Sequence, residues 1–193
     1  MKILLIDNND SFTYNLFHLI RSVCSPDDTI VVCPNDELEV EAAADFDRII
    51  LSPGPGTPAE ASRLQEIIRT YEKQIPIFGI CLGHQVIAET YGAVTCNLTR
   101  PVHGVRSAVT FIDRSGLFRG LDERIMAGRY HSWCVSGEKL PGCLEITAID
   151  DEGSIMALSH REYAVHGVQF HPESFMTDHG KSILSNFLNP GQS

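Results

Sequence analysis

Cys81 stands in the run Gly79-Ile80-Cys81-Leu82-Gly83, a thiol framed by glycines. This is the cysteine form of a nucleophile elbow, a tight strand-to-helix turn that holds the nucleophile in a strained, exposed position. Ordinary side chains at the glycines would clash across such a turn. At the start of the following helix, the positive end of the dipole favours thiolate over thiol. The competing reading is a buried structural cysteine.

A thiol nucleophile needs a base. His171-Pro172-Glu173 ends the last expected strand. Residues two apart on extended backbone point to the same side, and Pro172 stiffens the spacer. Glu173 is therefore expected to orient His171 while His171 takes the Cys81 proton, the nucleophile–base–orienter arrangement of acyl transfer. The alternative is a strand-end histidine and a solvated glutamate.

A tetrahedral intermediate needs backbone N–H donors for its oxyanion. Leu82, directly after the nucleophile, supplies one. The second should come from the loop Ser52-Pro53-Gly54-Pro55-Gly56-Thr57-Pro58. Its prolines have no N–H, which leaves Gly54, Gly56 and Thr57, with Gly56 preferred. A rigid turn without function is the competitor. Gln85 lies four residues after Cys81, on the same helix face, where its amide could bind an amino-acid substrate or merely face water. His84 could pack or be solvated. Arg129-Tyr130-His131-Ser132-Trp133 holds the only tryptophan, a pocket wall or a core residue.

These groups need a scaffold that delivers them to one edge. Lys2–Ile6 is a continuous apolar run, the mark of a strand buried on both faces. Asp10 or Ser11 can cap a helix whose apolar face is Phe12, Leu16, Leu19, Ile20 and Val23. Thr29–Cys33, Arg48–Leu51 and Ile75–Ile80 read as strands. Leu64, Ile67, Ile68 and Tyr71 mark a second helix. A third runs from about Leu82 to Tyr91 and stops at Gly92. Alternating strands and helices imply a mainly parallel sheet covered on both faces, with ligand sites at the carboxyl ends of its strands. Val105–Ile112, Leu144–Asp150, Ser154–His160 and Ala164–Phe170 read as strands of an added, partly antiparallel region. A helix from about Asp178 to Leu188 closes a single domain over 1–193.

A net charge of −10 argues against nucleic-acid and anionic-membrane partners, which require basic patches. No segment is long and apolar enough to span a membrane. Met1–Ile6 meets Asp7 at once, so no signal peptide is expected, and the protein is expected in the cytoplasm. Its six cysteines are then expected to be reduced, and none forms a C-x-x-C zinc pair. No metal or organic cofactor is expected.

Together the motifs carry a resemblance over essentially the whole chain. DNNDSFTYNL at 7–16, SPGPGTP at 52–58, GICLGHQ at 79–85, RYHS at 129–132 and GVQFHPES at 167–174 resemble the class I, triad-type glutamine amidotransferases. Within them they resemble the small subunits of anthranilate synthase and para-aminobenzoate (aminodeoxychorismate) synthase. The resemblance implies a flavodoxin-like three-layer α/β fold and a Cys81–His171–Glu173 triad. It implies that L-glutamine is held by Gly54, Pro55 and Gly56, by Gln85, and by the main chain at Ser132 and Trp133. It also implies that ammonia passes to a chorismate-binding large subunit. One departure is visible: the subgroup often has His-Gly-Lys where this chain has His103-Gly104-Val105, followed by Arg106, which is expected to replace the missing charge. Two other functions fit less well: a stand-alone γ-glutamyl cysteine hydrolase, which has no need of the DNNDSFTYNL start, and a non-catalytic regulatory subunit, which has no need of an intact triad.

Overall fold

The computed structural model describes residues 1–191. In chain order it runs β1 (Lys2–Asp7), α1 (Thr13–Arg21), β2 (Thr29–Pro34), β3 (Arg48–Leu51), α2 (Ser62–Tyr71), β4 (Ile77–Ile80) and α3 (Leu82–Thr90). It continues with β5 (Thr95–Asn97), β6 (Val105–Phe111), β7 (Arg124–Arg129), β8 (Trp133–Val135), β9 (Leu144–Asp150), β10 (Ile155–His160), β11 (Val165–Val168) and α4 (Gly180–Leu188).

Nine strands form one sheet in the order β2-β1-β3-β4-β11-β10-β9-β6-β7. The pairs from β2 to β11 are parallel, and those from β11 onward are antiparallel. The antiparallel strands thus extend the edge of the parallel sheet. A separate two-stranded ribbon pairs β5 with β8.

Alternation along β1 shows how the layers form. Ile3 and Leu5 pack with Leu16 and Ile20 of α1 and with Ile183, Leu184 and Phe187 of α4 on one face. Leu4 and Ile6 pack with Leu64, Ile67 and Ile68 of α2 and with Val86 and Ile87 of α3 on the other. A side-chain period of two feeds both layers, which is why the strand sequence is apolar throughout. Burying each of these side chains is worth about 1.5–3 kcal/mol.

Several boundaries differ from the sequence reading. Neither Asp10 nor Ser11 is the N-cap of α1; Phe12 is, and it has no side-chain cap. Asp10 acts one step earlier, accepting the Phe12 N–H at 2.7 Å, while Asp7 accepts the Thr13 hydroxyl at 2.7 Å. The chain must turn sharply off β1 there, and local carboxylate bonds replace a cap. The strands β5, β7 and β8 were not expected. Gly92 does end α3, with φ +99°.

Candidate active site

The carboxyl ends of β1, β3, β4 and β11 meet at one edge. β4 runs straight into α3, and Cys81 at the junction has φ 52° and ψ −100°. That is a strained conformation for an L-residue. The glycines around it are sterically required. A Cβ on Gly79 would strike the Gly83 backbone, and one on Gly83 would lie 2.7 Å from Leu51 Cβ. Cys81 is the N-cap of α3, so the Leu82 N–H is among the helix's unpaired donors.

The loop after β3 is held by the start of the chain. Asn8 donates Nδ2–H to the Ser52 carbonyl at 2.8 Å, and its backbone N–H goes to Ser52 Oγ at 2.9 Å. Gly54 packs between Asn8 and Leu82, too close for any side chain. Of the three donors the sequence left open, Thr57 is already occupied: its N–H goes to Glu60 Oε2 at 2.8 Å, in a capping box. Gly54 and Gly56 remain. Gly56 has φ +88°, a conformation that favours glycine.

His171 and Glu173 meet, but not along extended backbone. They occupy a turn closed by Ser174 N–H on the His171 carbonyl at 3.2 Å. β11 ends at Val168, and the turn that follows brings the carboxylate to the ring: Nδ1 and Oε1 lie 2.7 Å apart, both side chains buried. Three contacts fix this turn. The His171 N–H donates to the Gly128 carbonyl of β7 at 3.0 Å, and Thr177 Oγ1–H donates to the His171 carbonyl at 2.5 Å. Gly180, the first residue of α4, lies against the Pro172 carbonyl with no room for a Cβ.

Burial acts to lower the His171 pKa, but the Cys81 sulfur and the Glu173 carboxylate outweigh it and raise it to about 10. Among the described residues His171 Nε2 has no hydrogen-bond partner of good geometry, and with Nδ1 on Glu173 it is the nitrogen left for the thiol. An imidazole whose proton affinity is raised beside a cysteine is suited to hold the proton that the thiol gives up on attack. Phe12 and Tyr130 pack edge-on against the ring, with centroids 5.4 and 4.9 Å away.

A cavity of about 440 Å³ opens over the sulfur, lined by Gly54, Pro55, Gly56, Thr57, Glu60, Cys81, Leu82, Gln85, Tyr130, His131, Ser132 and Trp133. That volume suits a small polar ligand. Gln85 is buried, not solvated. Its Nε2 donates to the Trp133 carbonyl at 2.8 Å and to Gln169 Oε1 at 3.1 Å, so only its carbonyl end is left for a ligand. Trp133 presents main chain for a reason of register. Leu98 N–H bonds the Ser132 carbonyl and Ser136 N–H the Val94 carbonyl, so Asn97 and Trp133 form a non-hydrogen-bonded pair. Both polar groups of Trp133 then point away from β5, the carbonyl to Gln85 and the N–H to the same edge.

One feature was missed. Gln169, within a motif read only for His171 and Glu173, donates Nε2–H to Cys81 Sγ at 3.6 Å. Its place on the strand end before His171 was the available signal. His84 is fully buried against Gly167, and burial holds its pKa down at about 3. Arg106 does not offer a free charge: its guanidinium meets Asp178 at 2.6 Å and the Met176 carbonyl at 3.0 Å.

Known proteins resemble this chain. The family model "Glutamine amidotransferase class-I" matches residues 4–190. The chain is 43% identical over 190 residues to the bifunctional protein TrpGD of Thermotoga maritima, covering 97% of this chain but 32% of that protein. It is 43% identical over 188 residues to the aminodeoxychorismate/anthranilate synthase component 2 of Bacillus subtilis, covering 96% of this chain and 95% of the relative. The crystal structure of a putative GMP synthase subunit from Thermoplasma acidophilum superposes with a TM-score of 0.86 at 26% identity, over 97% of this chain and 92% of that one.

Proposed function

Starting from the fact that the chain belongs to the class-I glutamine amidotransferase family, we propose that it acts as one glutaminase domain. It hydrolyses the side-chain amide of L-glutamine and delivers the ammonia to a chorismate-using large subunit, which makes anthranilate or 4-amino-4-deoxychorismate. The observation that carries this reading is the strained Cys81 at a helix start, with the buried His171–Glu173 pair beside it and a glutamine-sized cavity above it.

The steps follow from the geometry. Cys81 gives its proton to His171 and attacks the amide carbon. The Leu82 N–H and the Gly56 N–H receive the developing oxyanion. His171 returns the proton to the leaving ammonia, and the thioester forms. Water, deprotonated by His171, then attacks the thioester carbon, and His171 passes that proton to the departing Cys81 sulfur as glutamate leaves. Glu173 holds the ring in the tautomer and orientation each transfer needs. Gly54, Pro55, Gln85, Ser132 and the Trp133 main chain position the amino-acid portion of the substrate.

Exposed apolar side chains close in sequence to the site support a large partner of this kind. Tyr14 is 69% exposed and Phe175 is 93% exposed, each two residues along the chain from a site residue, Phe12 and Glu173. Large apolar side chains exposed together mark an association surface. Among the described residues no helix is long and apolar enough to cross a membrane; as a separate part of the proposal, the complex works in the cytoplasm. The test is synthesis by the complex with glutamine or with ammonium as nitrogen donor, using each candidate large subunit. Product from ammonium alone, with no glutamine hydrolysis under any condition, would overturn the proposal.

A further inference from the structure

Behind the glutamine cavity lies a buried ion pair that the chemistry above does not use. Arg129, the last residue of β7, and Asp150, the last of β9, meet at 2.7 Å with both side chains almost wholly buried. Such a pair is costly to desolvate and is weak evidence for stability in itself. Its geometry points to another role. The second Asp150 oxygen accepts the Glu152 and Ser154 N–H groups at 3.0 and 2.8 Å, so the carboxylate is anchored in a turn. Arg129 uses its Nε–H on His131 Nε2 at 3.1 Å. His131 Nδ1 lies 2.8 Å from the Trp133 carbonyl, the same oxygen that Gln85 bonds.

The direction of every bond in this series is determined. Arginine only donates, so His131 Nε2 must accept, and the ring hydrogen sits on Nδ1. Nδ1–H then donates to the Trp133 carbonyl. That carbonyl only accepts, so Gln85 must present its NH₂ there. The second hydrogen of that NH₂ needs an acceptor, which sets Gln169 Oε1 toward Gln85. Gln169 is left with its NH₂ facing the Cys81 sulfur. The Trp133 carbonyl thus settles the two amide orientations that border the nucleophile. Burial first, and then the Arg129 charge, hold the His131 pKa down at about 4, so the neutral ring persists at physiological pH.

We infer that Asp150, Arg129 and His131 form a positioning relay that fixes the Trp133 carbonyl, and through it the glutamine-binding edge and the Gln85 and Gln169 amides. His131 transfers no proton; it is a neutral bridge between a buried cation and a main-chain acceptor. The inference rests on the glutamine reading above for the identity of the ligand.

Two electrophiles test it on the chain alone, with the Cys81 peptide read by mass spectrometry. Iodoacetamide reports thiol reactivity, and a chloroketone analogue of L-glutamine reports reactivity plus recognition. The ratio of their labelling rates isolates recognition. His131→Leu leaves the buried Trp133 carbonyl short of a donor and should lower the ratio about 10- to 100-fold. Asn places an N–H where Nδ1 was, so His131→Asn should recover to within about threefold of the unmodified chain. Gln reaches toward Arg129 instead, and His131→Gln should stay impaired. Asp150→Asn should shift the ratio in the same direction by less.

An Asn variant as impaired as Leu, or a Gln variant as good as the unmodified chain, would overturn the relay. Should His131→Leu not fold, the Asn–Gln comparison decides alone. An unmodified chain that does not distinguish the L from the D chloroketone would overturn the glutamine reading instead. The relay is then read from the iodoacetamide rate through the Gln169–Cys81 bond: slowed in Gln and restored in Asn if it operates, equal in both if it does not.

Discussion

The parallel and antiparallel halves of the sheet contribute different things to one cavity. β1, β3 and β4 end in the strained Cys81, the Leu82 helix start and the Gly54–Gly56 loop. Each of these is backbone held in an unusual shape by packed glycines. The ends of β7 and β9, the start of β8 and the link between β7 and β8 contribute Arg129, Asp150, the Trp133 carbonyl and His131, a set of side-chain and main-chain hydrogen bonds. β11 joins the halves, parallel to β4 and antiparallel to β10, and the His171–Glu173 turn follows it. Reactivity here is a property of tight local backbone, while recognition depends on register and side-chain bonding across distant strands. Damage to the first half should appear in turnover, and damage to the second in substrate affinity.

The sharpest way to break this division is Cys81→Ala. It should abolish glutamine-dependent synthesis in the complex and leave ammonium-dependent synthesis intact, since the thiol serves only ammonia release. Assays with both nitrogen sources decide it. Loss of both activities in an assembled complex would contradict the assignment. Next in size is His171→Asn, expected to slow thioester formation about 10²–10⁴-fold, the usual worth of a general base. Glu173→Gln should cost less, because it orients the ring and moves no proton. Single-turnover acylation of Cys81 measures both, and a Glu173 variant slower than the His171 variant would reverse the roles.

Gly56→Ala examines the loop. An L-residue in the left-handed region costs about 1–2 kcal/mol, and the added Cβ would lie 2.7 Å from Glu60 Oε2 and strain the Thr57 capping box. Turnover should fall about tenfold if that strain tilts the donor, with little change in the KM for glutamine. A change in KM alone would assign Gly56 to binding and move the loop into the recognition half.

The same contrast explains what the sequence disclosed. The parallel strands were legible because burial on both faces makes Lys2–Asp7, Arg48–Leu51 and Ile77–Ile80 nearly continuous apolar runs, punctuated by glycines with steric work to do. Cys81, Leu82, Gln85, Gly54, Pro55, Gly56, Ser132 and Trp133 do line one cavity, and His171 does meet Glu173. β7 and β8 were not legible. β7 ends in an arginine that is buried only because Asp150 lies beside it, and β8 is three residues long. Neither shows the period or length that marks a strand. Gln169 was overlooked for a related reason: an amide's importance lies in the atom it faces, and spacing does not encode that. The turn at His171–Glu173 was misread as extended because the contacts that bend it, Gly128 and Gly180, come from other elements of the fold.

The smallest effect concerns stability, and it separates the histidines by role. Burial lowers the pKa of His84 to about 3 and of His131 and His166 to about 4, while His171 is raised to about 10. Below about pH 6.5 the unfolded chain binds protons at the first three sites and the folded chain does not, so stability falls as pH falls from 6.5 toward 4. At pH 5 each of the three costs about 2 kcal/mol relative to neutral pH. His171 has the opposite sign. Its contribution is complete below about pH 6.5 and is lost as pH rises toward 10. Thermal unfolding should therefore give a Tm maximum near pH 6.5–7 with a limb on each side. His171→Asn should flatten the alkaline limb and leave the acid limb in place. His131→Asn, which retains the Trp133 bond but cannot titrate, should soften the acid limb and leave the alkaline one. A His171 variant that flattens the acid limb would mean that the catalytic ring is held neutral in the folded chain, and its role as holder of the proton that Cys81 gives up would have to be abandoned.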